Sequence, residues 1–192
     1  MSFRTTRARL CTAAVAALAA GTLAVGASPA AASASSGYVS GADSYYDDFG
    51  DEGTLSTSSY SSSNATCLWQ VILLAEGAKE SNGTAFDWSD IDGHFGPNTK
   101  EATESLQRSW SLGVDGKVGP QTFGAADTQW NSSTGSGELE YRGVGSTDAT
   151  KFKLRYHGAK AYFDFYRTAS GQYRFFHNGA WHYASYTSNT CD

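Results

Sequence analysis

Apolar residues fall at helical spacing in two stretches of this chain and alternate in a third. Leu68, Val71, Ile72 and Ala75 recur at i, i+3, i+4 and i+7, the spacing of one buried helix face. They predict a helix over residues 66–77 that stops at Gly77. Ala102, Leu106 and Trp110 share a second face and predict a helix from Pro97 to about Trp110. Beyond residue 138 the period changes to two, with Phe152, Leu154 and Tyr156 alternating with Lys151, Lys153 and Arg155. Asn178-Gly179 is a two-residue hairpin signal that sets Phe175 opposite His182 and Phe176 opposite Trp181. Residues 139–190 therefore read as an antiparallel meander of four or five strands. The expected fold class is α+β: a small three-helix module followed by a small antiparallel β-meander.

Between the helical stretches a string occurs twice. Asp92-Gly93-His94-Phe95-Gly96-Pro97-Asn98-Thr99 returns as Asp115-Gly116-Lys117-Val118-Gly119-Pro120-Gln121-Thr122. Asp-Gly makes a tight turn, with the glycine free to take positive φ. Phe95 or Val118 then drops into a core. Gly-Pro opens a helix, because the missing N–H of proline costs nothing at the first helical position. The second copy so predicts a short third helix from Pro120. Gly93, Gly96, Gly116, Gly119, Pro97 and Pro120 are read as shaping the backbone, and Asp92 and Asp115 as bonding nearby N–H groups.

The remaining chain changes the picture at its start. Arg4, Arg7 and Arg9 precede an Ala/Leu/Val-rich run over residues 12–25, too short to span a membrane, and Ala32-Ser33-Ala34 offers a cleavage site. Residues 1–34 read as a signal peptide. Losing three Arg and no acid takes the formal charge from −5 to −8. So acidic an exported chain excludes nucleic acid and anionic lipid as expected partners, since both need cationic patches. Residues 35–63, rich in Ser, Gly, Asp and Tyr, read as a disordered acidic leader. Residues 64–128 form the helical domain, 129–138 a Ser/Gly linker, and 139–192 the β domain. Cys67 and Cys191 remain after export. In an oxidising compartment they are expected to form one disulfide, worth about 4–5 kcal/mol in the chain-entropy account. The rival reading is a free catalytic thiol.

The stretch Leu68-Trp69-Gln70, the first repeat copy, Ala102, Leu106-Gln107-Arg108 and Leu112-Gly113-Val114 leading into the second copy and Phe123 resembles the peptidoglycan-binding-like family of three-helix modules. Phe95, Thr99, Val118 and Thr122 fit its pattern. Trp69, Leu106 and Phe123 depart from it only by apolar exchange. The resemblance implies a closed three-helix fold, a bacterial source and noncovalent binding of peptidoglycan at the cell wall. It does not imply catalysis, although such modules usually accompany a hydrolase, and no cofactor is expected. It does not extend to the C-terminal region.

Ligand-facing candidates are the variable positions around the two turns. His94 and Lys117 occupy one equivalent position, Asn98 and Gln121 another, in first helical turns whose free N–H groups attract carboxylates. Trp110 offers a flat face to a sugar ring or packs between helices. Arg108 is suited to bidentate pairing with a carboxylate. His157, His177 and His182 lack the short paired spacings of a zinc site, so no metal is expected. The leading function is a secreted, noncatalytic peptidoglycan-binding protein. One alternative is a small wall hydrolase using residues such as Asp164 or His182. The other is an adaptor whose tyrosines Tyr162, Tyr166, Tyr173, Tyr183 and Tyr186 grip a protein or glycan partner.

Overall fold

The computed structural model describes residues 34–42, 45–131, 136–145 and 151–192. The signal peptide expected over residues 1–34 lies, apart from Ala34, outside them.

Helix α1 spans Asn64–Glu76. The Ser63 side chain caps it by accepting the Thr66 N–H at 3.1 Å. Gly77 closes it in the left-handed region, φ 66°, with its N–H on the Leu73 and Leu74 carbonyls. The pattern predicted one buried face, yet every residue of α1 except Leu74 is buried. The reason is position: α1 packs against α2 on one side and against strands of the sheet on another. Its polar residues therefore act as internal ligands, not as a solvent face.

Helix α2 spans Pro97–Ser109, with proline in its first turn and Thr99, Ala102, Thr103, Leu106 and Gln107 buried. Helix α3 spans Pro120–Thr128. The strands follow in sequence order as one antiparallel sheet: β1 Gln129–Asn131, β2 Ser136–Val144, β3 Phe152–His157, β4 Tyr162–Arg167, β5 Tyr173–His177 and β6 Ala180–Tyr183. Six strands are thus present among the described residues, against the four or five expected. The added one, β1, comes from the stretch read as linker, of which residues 132–135 lie outside the described set. The hairpin register is the expected one, with Phe175 opposite His182 and Phe176 opposite Trp181. Both turn residues, Asn178 and Gly179, have positive φ, as a primed turn requires.

The largest correction concerns residues 35–63. Val39, Phe49 and Leu55 are fully buried in the same core as Leu68, Trp69 and Phe123 of the helices and Leu139, Phe165 and Phe175 of the sheet. Leu55 exchanges backbone hydrogen bonds with Val118, and Val39 bridges Ala184 and Tyr173. The described part of this segment is a strap, not a disordered leader. Composition missed it because three well-placed apolar residues suffice, each worth about 1.5–3 kcal/mol on full burial. Two of its acids, Asp48 and Glu52, are buried, while Asp47 and Asp51 remain exposed.

Each of three buried carboxylates accepts a tyrosine hydroxyl. Tyr156 donates to Glu76 at 2.6 Å, Tyr173 to Asp48 at 2.5 Å and Tyr186 to Glu52 at 2.5 Å. Arg167 adds an ion pair to Asp48 at 2.5 Å. These links tie strap and α1 to the sheet and its C-terminal tail. They also remove Tyr173 and Tyr186 from the exposed aromatic set, because both are buried. The expected disulfide joins Cys67 in α1 to Cys191.

Candidate functional site

Each repeat copy is latched by a glutamine from the helix before it. The Gln70 Oε1 accepts the N–H groups of Asp92 and Gly93 at 3.1 and 2.7 Å. Its Nε2 lies within 2.9–3.1 Å of Asp92 Oδ1, the His94 carbonyl and Thr99 Oγ1. Gln107 repeats the arrangement on Asp115, Gly116, the Lys117 carbonyl and Thr122 Oγ1, at 2.9–3.0 Å. Asp92 and Asp115 take the N–H two residues on, at 2.7 and 3.0 Å, as their turn chemistry predicts. Gly93 and Gly116 have φ of 71° and 65°, so the turn needs glycine there. Gly96, by contrast, has φ −85° and sits extended as the N-cap of α2. Both glutamines are buried. Their role was not read from the sequence, although a Gln in the helix preceding each Asp-Gly was visible.

The expected ligand positions do not converge. His94 lies 3.4 Å from the Asp192 carboxylate and 3.5 Å from the Asn189 amide, exposed beside the C-terminal tail. Asn98 donates to Asp90 at 2.9 Å and to Glu80. The first turn of α2 is therefore already supplied with acidic side chains, which disfavours an incoming carboxylate. Arg108 is exposed beside Glu104 at 3.8 Å. Trp110 caps α2 and packs edge-on against Trp69, ring centroids 6.4 Å apart, so packing accounts for it.

Lys117 and Gln121 do come together. They line a recess of about 300 Å³ with Leu112, Gly113, Asp115 and Pro120. A wider recess of about 560 Å³ shares Leu112, Gly113, Pro120 and Gln121 and continues to Ser111, Ala125 and Asp127. Its far wall is Asp47 and Gly50, from the strap. No sequence pattern pointed to these two residues. Asp127 Oδ2 accepts the Phe49 N–H at 2.7 Å, while its buried Oδ1 has no partner. Burial first, then the charges of Asp48 and Asp47, push the Asp127 carboxyl up to about 8.

Asp164, Glu140, His157 and His182 of the sheet are engaged otherwise, while neither ring nitrogen of buried His177 has a hydrogen-bond partner among the described residues. Asp164 holds Arg155 at 2.7 Å, and His157 meets Glu140 at 2.7 Å. His182 contacts Thr190 at 2.7 Å. Among the described residues no three His, Cys, Asp or Glu side chains gather as a metal site.

Two glutamine-latched turns that open helices, with a recess beside the second, define a repeat-built helical module. Residues 82–125 match the family described as "Putative peptidoglycan binding domain", and the chain thus carries a peptidoglycan-binding-like domain. A curated protein of Kitasatospora aureofaciens, described as an uncharacterized protein in the bpoA1 3' region, is 40% identical over 53 residues. That match covers 28% of this chain and 45% of the relative, so the chain spans about half the length of the curated protein it matches. No solved structure gives a significant match.

Proposed function

We propose that this is a secreted protein that binds cell-wall peptidoglycan noncovalently and does not cleave it. The observation that carries the reading is the family match over both turns, together with the open recess at the second of them. A shallow site of this kind suits weak binding repeated along a polymer. Export is supported by the disulfide, which belongs to oxidising compartments. No helix among the described residues is long and apolar enough to cross a membrane.

The test is sedimentation of residues 35–192 with insoluble sacculi. The helical residues alone are unsuitable, because they share one core with strap and sheet. Recovery in the pellet is expected, and a protein left in the supernatant overturns the reading. A zymogram on wall material is expected to stay uncleared. Clearing that is lost in Asp164→Ala or His182→Ala supports the hydrolase alternative instead.

One observation favours an additional partner for the sheet. Tyr162 and Tyr183 are 61% and 38% exposed, with Arg155 and Arg174 stacked on their rings at 4.2 and 4.9 Å. Tyr166 meets Trp181 at 4.3 Å beside them. Such a face suits a glycan or protein surface. Binding of residues 35–192 with Tyr162→Ala and Tyr183→Ala, compared on sacculi and in culture-extract pull-downs, tests it.

A further inference from the structure

The recess beside the second turn is a composite of two parts of the chain. The module supplies Lys117 and Gln121 at one end, and the strap supplies Asp47 at the other. Lys117 and Asp47 are both exposed. Asp115 shares the Lys117 end but is engaged within its own turn by Gln107 and the Lys117 N–H. That leaves the Lys117 ammonium to meet an anion there and Asp47 a cation at the other end. Asp127, in α3 and bonded to the strap through the Phe49 N–H, is 1% exposed. One of its carboxylate oxygens has no hydrogen-bond partner, which is unusual for a buried polar atom. Burial first, and then the charges of Asp48 and Asp47, hold it above the ordinary carboxylate range. Arg167 is already paired with Asp48. Exposed Asp47 is left as the charged group at this end of the groove, so an entering cation is favoured there over an anion.

We propose that this groove takes a peptide carrying a free primary amine and a carboxylate, with the ammonium on Asp47 above Asp127 and the carboxylate on Lys117. Within peptidoglycan that chemistry belongs to the diamino-acid region of an uncrosslinked stem peptide, not to the glycan strand. The assignment rests on the wall-binding reading and adds the ligand class to it. Leu112 and Pro120 supply the apolar surface between the two charged ends. Gln121 offers both a donor and an acceptor to the peptide backbone.

The test uses residues 35–192 and calorimetric titration with a soluble stem peptide, with the same peptide acetylated on its side-chain amine, and with intact sacculi in a pelleting assay. Acetylation is expected to weaken binding about tenfold. Asp47→Asn is expected to weaken the free-amine peptide about fivefold and to leave the acetylated one unchanged. The exposed Asp47→Asn decides the ammonium end alone, because Asp127 is buried and its carboxyl is pushed up to about 8. Lys117→Met should weaken both peptides. Equal binding of the two peptides, no effect of Asp47→Asn, or no peptide binding beside retained sacculus binding overturns the groove assignment and leaves wall binding standing. Failure of the unsubstituted protein to pellet with sacculi overturns the parent reading instead.

Discussion

The two copies of the repeat have the same backbone and different surroundings. Each has a positive-φ glycine, an aspartate on the N–H two residues on, and a buried glutamine closing the turn. The first copy is then flanked by the C-terminal tail. A Cβ on Gly93 would come within 2.3 Å of Asn189 Oδ1, where one on Gly116 would meet Lys100 and Glu104 of α2, and exposed His94 sits beside Asp192. Asn98 is held by Glu80 and Asp90. The second copy has the same geometry with Lys117 and Gln121 facing a recess. A repeat therefore specifies a scaffold twice, and tertiary packing decides which copy keeps an open surface.

The largest expected effect tests what holds the tail beside the first copy. Cys67→Ser with Cys191→Ser removes a cross-link across a sequence separation of 124. It should cost about 4–5 kcal/mol by denaturant unfolding, because the unfolded chain gains freedom. A loss below about 1 kcal/mol would show that the tail is held without it. Next, Gln70→Leu and Gln107→Leu should each cost about 3 kcal/mol, since each leaves two turn N–H groups without their buried acceptor. Equal losses in the two variants support a common scaffold. A large loss in one alone breaks the comparison at the level of the turn.

A third prediction separates the walls of the two sites. Glu52 of the strap and Asp127 of α3 have carboxyls pushed up to about 8, chiefly by burial. The folded chain then holds protons that the unfolded chain has released. Stability is fully present below the unfolded carboxylate range and is lost as pH rises through about 8. His177, held low by burial, opposes this only at the acid end. Across pH 6 to 8 a loss of about 2 kcal/mol is expected, less than two fully coupled groups would give. Amide exchange at Phe49, which donates to Asp127, should accelerate over the same range, whereas the Gly93 amide on Gln70 should not. A flat stability profile would mean that water or rearrangement already satisfies these carboxyls.

Much of the scaffold was legible because its signals are local. Positive-φ glycines, proline at helix starts and Asn178-Gly179 each fix backbone within a few residues. The strap was not legible, because Val39, Phe49 and Leu55 lie far apart and carry no period. Their partners Ala184, Phe123 and Val118 are distant in sequence. The candidate site divides the same way. Lys117 and Gln121 follow from the motif, whereas Asp47 and Asp127 are set by how the strap crosses α3. The neighbours of Asn98 and Trp110 were not legible for a related reason: Glu80, Asp90 and Trp69 reach them through tertiary contacts, and for Trp110 the packing alternative is the one seen.

The smallest expected effect is the most direct comparison of the two copies. His94→Ala and Lys117→Ala remove equivalent side chains, as do Asn98→Ala and Gln121→Ala. On sacculi, the two changes at the second copy should each weaken binding by about 1 kcal/mol, or about fivefold. Those at the first copy should leave it within error, because their side chains are spent on Asp192, Asn189, Glu80 and Asp90. All four are exposed, so stability should shift by no more than about 0.5 kcal/mol. If the first-copy variants lose as much affinity as the second, the tail does not shield that turn and both copies bind. If only the first-copy variants lose affinity, the recess is not the site, and the tail with His94 becomes the surface that meets the wall.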